Sequence, residues 1–333
     1  MTTLVLLAAA CFADGPTAPF EAPKYGVKAA IPKDWPVAER ENGERVFVAV
    51  IGQADPEKPG VAACELGLAP ESLDEYRTRI AKNAARGGRP GETVVKNEVV
   101  KGPGGDRLET VREFATAGGL WREVSVRRVA NRQLYTFILN VDDATYPKAR
   151  PAFDALVASA ELTPPDTGAD LVSAKANRWV QREFKFALDL PDGWRPALAP
   201  SEVALLFANG DPHGVWSDNL LVLAQAHRKQ DLNVTAAQLP DQLRREEPGC
   251  EVLSCSVDKR GGRDVLETVV RTTRGPFSMT VLEWRFRGNR FDYEVKFTVE
   301  TKRFDALAPI LRKKLEGFAE VPGVVPGAPR KPA

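Results

Sequence analysis

The sequence has little of the raw material for metal sites or histidine chemistry: its 333 residues include two His and four Cys. It has almost no net charge, since 46 Lys+Arg against 45 Asp+Glu give a formal +1. No global field therefore favours nucleic acid or an anionic membrane. Also missing are Gly-x-Ser-x-Gly, Gly-x-x-x-x-Gly-Lys-Ser/Thr and His-Glu-x-x-His, the marks of nucleophile elbows, phosphate loops and zinc helices. Gly102-Pro103-Gly104-Gly105 lacks the spacing of a dinucleotide fingerprint and reads as a hairpin turn. The sequence thus predicts no catalytic residue, no cofactor and no metal, and the expectation is a protein that is not an enzyme. What remains is an ordinary globular composition, 43% hydrophobic and 27% charged, at a length that suits two domains.

The apolar run Leu4–Ala10 is too short for a membrane helix, which needs about 20 residues. Followed by Ala8-Ala9-Ala10-Cys11-Phe12-Ala13, it fits a secretory leader over residues 1–13, although Met1-Thr2-Thr3 lacks the usual Lys or Arg. Two processing routes stand: cleavage after Ala13, or a lipoprotein anchor on Cys11. Either predicts export to the periplasm or cell envelope. Of the remaining cysteines, Cys250 and Cys255 lie five apart, roughly 16 Å in a continuous strand. A disulfide between them requires a sharp bend; otherwise Cys64, Cys250 and Cys255 read as small buried apolar residues.

The organising feature is an internal repeat. Tyr25–Trp35 resembles Phe184–Trp194 at an offset of 159, and Leu108-Glu109-Thr110-Val111 recurs as Leu266-Glu267-Thr268-Val269 at 158. Residues 104–141 and 262–299 share 11 identities in 38 positions without a gap. The expected layout is a first repeat over 24–163, a linker over 164–181, a second repeat over 182–320 and a Pro-rich disordered tail over 321–333. Within a repeat, alternation predicts strands. Leu282, Trp284 and Phe286 share one face, Tyr293, Val295, Phe297 and Val299 another, with a turn at Gly288-Asn289 between them. Val124, Val126, Tyr135, Phe137, Leu139 and Val141 repeat the design around Ala130-Asn131. Ser72-Leu73-Asp74-Glu75 is a capping box, and a weaker helix is expected over Thr235–Glu246, where Pro240 forces a late start. The stripes Tyr146, Ala149, Phe153, Val157 and Ala160, and Phe304, Leu307, Leu311, Leu315 and Phe318, predict closing helices that begin or bend at Pro151 and Pro309. The fold class is α+β: two tandem copies of a twisted antiparallel sheet flanked by helices.

A strand ending in Leu190-Pro191-Asp192-Gly193-Trp194, then strand, helix, four strands and a closing helix, resembles the PsbP/Mog-like α-β-α sandwich and its envelope lipoprotein relatives of the DcrB and LpqN types. Tyr25–Trp35 departs from it in carrying Lys33-Asp34 in place of Asp-Gly. The resemblance implies a non-enzymatic accessory or binding module whose partner is another envelope protein or a peptide. Duplication adds the expectation of bivalent binding or a fused pseudo-dimer.

Three groups of candidate residues emerge. Asp211, His213, Trp216 and Asp218 fall in a polar loop, 209–218, between two apolar runs; this loop also carries the alternative reading, an enzyme or small-ligand-binding protein with His213 as acid or base. His227 reads as a surface residue. Glu109 with Arg127, and Glu267 with Arg285, are duplicated at a spacing of eighteen and predict cross-strand ion pairs. Trp35 and Trp194 predict structural plugs over one end of each core.

Overall fold

The computed structural model describes residues 16–38, 45–51, 60–86, 91–102, 105–116, 119–198, 204–213, 216–227, 231–274 and 277–321. The expected leader with Cys11 and the tail beyond 321 lie outside the described residues. The chain forms two compact units that change over at Pro164 and Pro165.

The first unit runs β1 (Thr17–Ala22), β2 (Val27–Pro32), β3 (Val37–Ala38), β4 (Arg45–Ile51), β5 (Gly60–Leu68), α1 (Leu73–Ala85), β6 (Glu92–Val100), β7 (Arg107–Thr116), β8 (Gly119–Ala130), β9 (Gln133–Asp142), α2 (Tyr146–Ser159) and β10 (Glu161–Leu162). The second runs β11 (Ala169–Ser173), β12 (Arg178–Gln181), β13 (Phe186–Asp189), β14 (Arg195–Ala197), β15 (Leu206–His213), β16 (Trp216–Gln225), α3 (Leu232–Glu246), β17 (Glu251–Arg260), β18 (Arg263–Arg274), β19 (Phe277–Arg287), β20 (Asp292–Glu300), α4 (Thr301–Glu316) and β21 (Ala319–Glu320). Each unit is built on a seven-stranded antiparallel sheet, β3-β4-β5-β9-β8-β7-β6 in the first and β14-β15-β16-β20-β19-β18-β17 in the second, with a smaller sheet beside it.

The expected hairpins are present. Leu282 pairs with Phe297, Trp284 with Val295 and Phe286 with Tyr293, all buried on one face. That face carries the core of the second unit together with Leu311, Leu315 and Phe318 at its closing helix. In the first unit Tyr135, Phe137, Leu139 and Val141 pack against Phe153, Leu156 and Val157 of α2 and against Val27, Ala29 and Ile31. The β8–β9 turn places Asn131 and Arg132 at positive φ, the two-residue hairpin geometry that matches strand twist. Ser72 Oγ accepts the Glu75 backbone N–H, which is the N-cap half of the capping box. No described helix is long and apolar enough to cross a membrane.

Several expectations change. The segment 164–181 is not only a linker: β11 and β12 lie in it and pair onto β13. Leu171 and Val172 are exposed there, so this edge leaves no buried stripe for periodicity to detect. The first unit likewise begins before residue 24, since β1 pairs along the length of β2. Three strands, not one, separate each Trp from the first helix of its unit. Residues 209–213 and 216–218 belong to the paired strands β15 and β16 and are not an open loop. Helices α2, α3 and α4 all start upstream of Pro151, Pro240 and Pro309 and run through them. Proline has a helix-compatible φ and forfeits one backbone hydrogen bond, which the buried faces of these helices offset. Cys64, Cys250 and Cys255 are free thiols; Cys64 is buried and the other two half-buried. β17 runs extended through Cys255, which keeps the two too far apart to bridge.

The two tryptophans occupy equivalent tight turns. Trp35 N–H donates to Pro32 O at 3.0 Å and Trp194 N–H to Pro191 O at 3.1 Å. Gly193 takes φ +81° in its turn, whereas Lys33-Asp34 closes the same hydrogen bond without a positive φ. Both indoles are buried in their cores, and Trp194 meets Phe297 edge-on. A side chain at Gly210 would lie 2.8 Å from the Trp194 Nε1, so that close approach requires glycine. Trp194→Ala is expected to destabilise the chain by about 3–5 kcal/mol, read as a drop in the urea midpoint at unchanged slope.

Candidate functional site

The site is assembled at the far end of β15 and β16, where they meet the start of α4. The register of β15 on β16 shifts between Asn209 and Pro212. Proline has no N–H for the ladder, so a bulge here breaks the pairing and re-aims the end of the strand. Past the bulge, Pro212 faces Ser217 and His213 faces Trp216.

Asp218 is the anchor. Its side chain is 2% exposed. One carboxylate oxygen accepts the Glu300 backbone N–H at 3.0 Å, and the other lies 2.6 Å from Arg303 Nη1. It therefore ties the sheet to the first turn of α4, where an anion is favoured by the helix dipole. His213 Nε2 lies 3.2 Å from Asp218 Oδ1, and Nδ1 lies 3.4 Å from Glu300 Oε2. The imidazole thus sits between two carboxylates. Lys302 Nζ closes on Glu300 Oε1 at 2.9 Å, and the Trp216 ring lies 6.0 Å from that of Phe277. Trp216 Nε1 is buried here without a hydrogen-bond partner among the described residues; Asn209 Oδ1 and Ser217 Oγ also lack one, but the register places them on the face of the sheet opposite Asp218. A buried polar group left in this state costs about 1–3 kcal/mol.

Of the residues singled out from the sequence, His213, Trp216 and Asp218 come together here. The Asp211 backbone belongs to β15, but its side chain lies outside the described residues. Glu300, Lys302 and Arg303 were not anticipated as site residues. Glu300 and Arg303 arrive from more than eighty positions away, and no local pattern links them to Asp218. His227 is exposed, as a surface residue should be, and pairs with Asp292 at 3.0 Å. Among the described residues no cluster of His, Cys, Asp and Glu could hold a metal ion.

The expected Glu–Arg ion pairs do not form. Glu109 is opposite Val126, and Arg127 opposite Leu108; Glu267 is opposite Trp284, and Arg285 opposite Leu266. One position apart in register means opposite faces of the sheet. Glu109 instead takes Arg150 of α2 at 2.7 Å and Lys96 at 3.1 Å. Glu267 accepts Arg312 of α4 at 2.7 Å and the Trp284 indole at 2.8 Å. On the reverse face, Arg127 donates to Ser125 at 2.8 Å and lies over the Tyr76 ring, while Arg285 pairs with Glu283 and Glu294. The duplication keeps a buried carboxylate under each closing helix, and each helix answers it with arginine.

No protein-family profile matches the sequence, and no curated protein matches it. Solved structures do. The chain is similar to the cyanobacterial PsbP of a Synechocystis species at 12% identity and a TM-score of 0.34, over 47% of this chain and 99% of that one. It is similar to LpqN, involved in cell envelope biogenesis of Mycobacterium tuberculosis, at 14% identity and a TM-score of 0.33, over 41% and 83%. The type VI secretion immunity protein TplEi of Pseudomonas aeruginosa aligns over 92% of this chain and 99% of its own at 8% identity and a TM-score of 0.27. The first two are the PsbP and LpqN types that the Phe184–Trp194 motif resembles.

Burial alone would raise the Glu109 pKa, but hydrogen bonds from Arg150 and Lys96 outweigh it and hold the carboxyl below its usual value. A carboxylate with a lowered folded pKa contributes stability that is present above the unfolded value, about 4.3, and lost as pH falls through the folded one. Urea titrations across that acid range are expected to show a shallower loss of stability for Glu109→Gln than for the wild type.

Proposed function

We propose that this chain is a non-enzymatic binding protein of the cell envelope that holds a protein or peptide segment at the β15–β16 hairpin end of its second unit. The observation that carries this reading is the buried, unpartnered Trp216 Nε1, on the residue that faces His213 across the strand pair, next to an imidazole held between two carboxylates. A peptide C=O is the complement of the Trp216 indole N–H. Aromatic side chains with one polar end are favoured anchors at such interfaces. Residence at the envelope rests on the leader pattern of residues 1–13.

The competing reading is an enzyme in which His213 moves protons, favoured by its approach to Asp218. General acid–base work needs one ring nitrogen directed at substrate. Both His213 nitrogens face carboxylates, which suits a structural or recognition role better.

A photo-crosslinking residue placed at the exposed Lys302, with a second at the exposed Val172 in β11 as control, tests the proposal in cells. The expected result is one partner captured from position 302 and not from 172, and lost when Trp216→Ala is added in a folded protein. Capture that is identical from both positions, or indifferent to Trp216→Ala, contradicts it.

A further inference from the structure

The two units differ most informatively under their first helices. Both α1 and α3 are capped by a side chain, Ser72 Oγ accepting Glu75 N–H and Asp231 Oδ1 accepting Asn233 N–H. Both are pinned to the sheet through one carbonyl: Asn97 Nδ2 donates to Arg77 O at 3.0 Å, and Cys255 Sγ to Ala236 O at 3.5 Å. Asn97 faces Thr110 in register and Cys255 faces Thr268, the duplicated threonines. Leu73 and Leu232 are half-buried, and Ile80 and Leu239 buried, in step. These matches align the helices residue for residue, and they put Thr235 where the first unit has Tyr76.

That exchange falls over the duplicated arginine. In the first unit the Tyr76 ring covers Arg127, its centroid 5.3 Å from the guanidinium carbon, and Arg127 is buried. In the second unit a cavity of about 580 Å³ lies at the corresponding place, lined by Thr235 and Arg285 and rimmed by Asp231, Asn233, Asp264 and Asp292. It lies at the opposite end of β20 from the hairpin site. Arg285 already has Glu283 and Glu294 along the sheet, so an occupant need not bring a negative charge to it. Of the three aspartates on the rim, Asp292 lies 3.1 Å from Arg287 and Asp264 lies 3.7 Å from Lys259, which leaves Asp231 as the carboxylate in excess and favours a cation.

We propose that this cavity binds a small aromatic ammonium compound, its ring stacked on Arg285 as the Tyr76 ring stacks on Arg127 and its amine directed to the aspartates of the rim. Guanidinium–aromatic stacking supplies the orientation. The proposal is independent of the hairpin site.

Tyramine is the probe, with 4-hydroxyphenylacetate as its anionic counterpart, titrated into the full chain by calorimetry and ligand-observed NMR. One tyramine per chain is expected, with a dissociation constant on the order of 1 mM for ten heavy atoms, and binding at least about tenfold tighter than that of the anion. Thr235→Tyr supplies the missing ring from within. It is expected to abolish tyramine binding and raise the melting temperature. The reciprocal Tyr76→Thr is expected to give a second tyramine site over Arg127, so stoichiometry rises from one to two. Either variant alone suffices if the other fails to fold. No binding to the wild type, binding unchanged in folded Thr235→Tyr, stoichiometry unchanged in folded Tyr76→Thr, or equal affinity for the anion overturns the proposal.

Discussion

The pleat of the seven-stranded sheets governs this protein. Successive residues of a strand point to opposite faces, so each sheet has one side under its closing helix and a reverse side where buried polar groups mix with apolar ones such as Leu108 and Leu266, and a single step in register moves a charge from one to the other. The apolar side binds the closing helix: Tyr135, Phe137 and Leu139 under α2, and Tyr293, Val295 and Phe297 under α4. Glu109 and Glu267 interrupt that side at equivalent points and are met by Arg150 and Arg312 from the helices above. The reverse side carries buried Thr110, Ser125 and Arg127 in the first unit and Thr268, Thr272 and Glu283 in the second. A sheet of this kind can keep its stability on one face and vary the other.

The variation is visible. In the first unit the polar face is closed by its own helix, with Tyr76 over Arg127. In the second, the same place holds Thr235, and the arginine lines a cavity. At the other end of the same sheet, α4 of the second unit begins under Asp218, a residue of the neighbouring hairpin. The first unit caps α2 locally instead, Asp142 accepting from Thr145 through both carboxylate oxygens. Borrowing an anchor from β16 brings His213 and Trp216 alongside it. Duplication thus supplied one scaffold twice, and the copies differ in the polar groups at the two ends of the sheet.

Much of this scaffold was legible in the sequence, because burial on one face writes itself as alternation. Phe186, Leu188, Tyr293 and Val295 are such positions, and the repeat offset carries each reading into the other copy. Elements escaped notice for two reasons: β4 is buried at four consecutive residues, Val46–Ala49, and so shows no alternation, and others lack a buried stripe. β11 exposes Leu171 and Val172, and the bulge at Asn209–Pro212 breaks alternation where the hairpin site is built. The partners of the duplicated charges escaped for another reason. Spacing shows that Glu109 and Arg127 lie on neighbouring strands, but the face each takes depends on a register that the turn between β7 and β8 sets. His213, Trp216 and Asp218 were found by their polarity within an apolar context; Glu300 and Arg303 come from β20 and α4, more than eighty positions away in sequence, and proximity of that kind has no local signal.

The assignment of faces is the claim on which both proposed sites rest, and a pair of double-mutant cycles tests it directly. Glu267 would be replaced by Gln in combination with Arg312→Gln and, separately, with Arg285→Gln, with stability read by urea denaturation. A coupling of about 1–3 kcal/mol between Glu267 and Arg312, with none beyond about 0.5 kcal/mol between Glu267 and Arg285, is the predicted result. Coupling of Glu267 to Arg285 and not to Arg312 would put the two charges on one face and contradict the account.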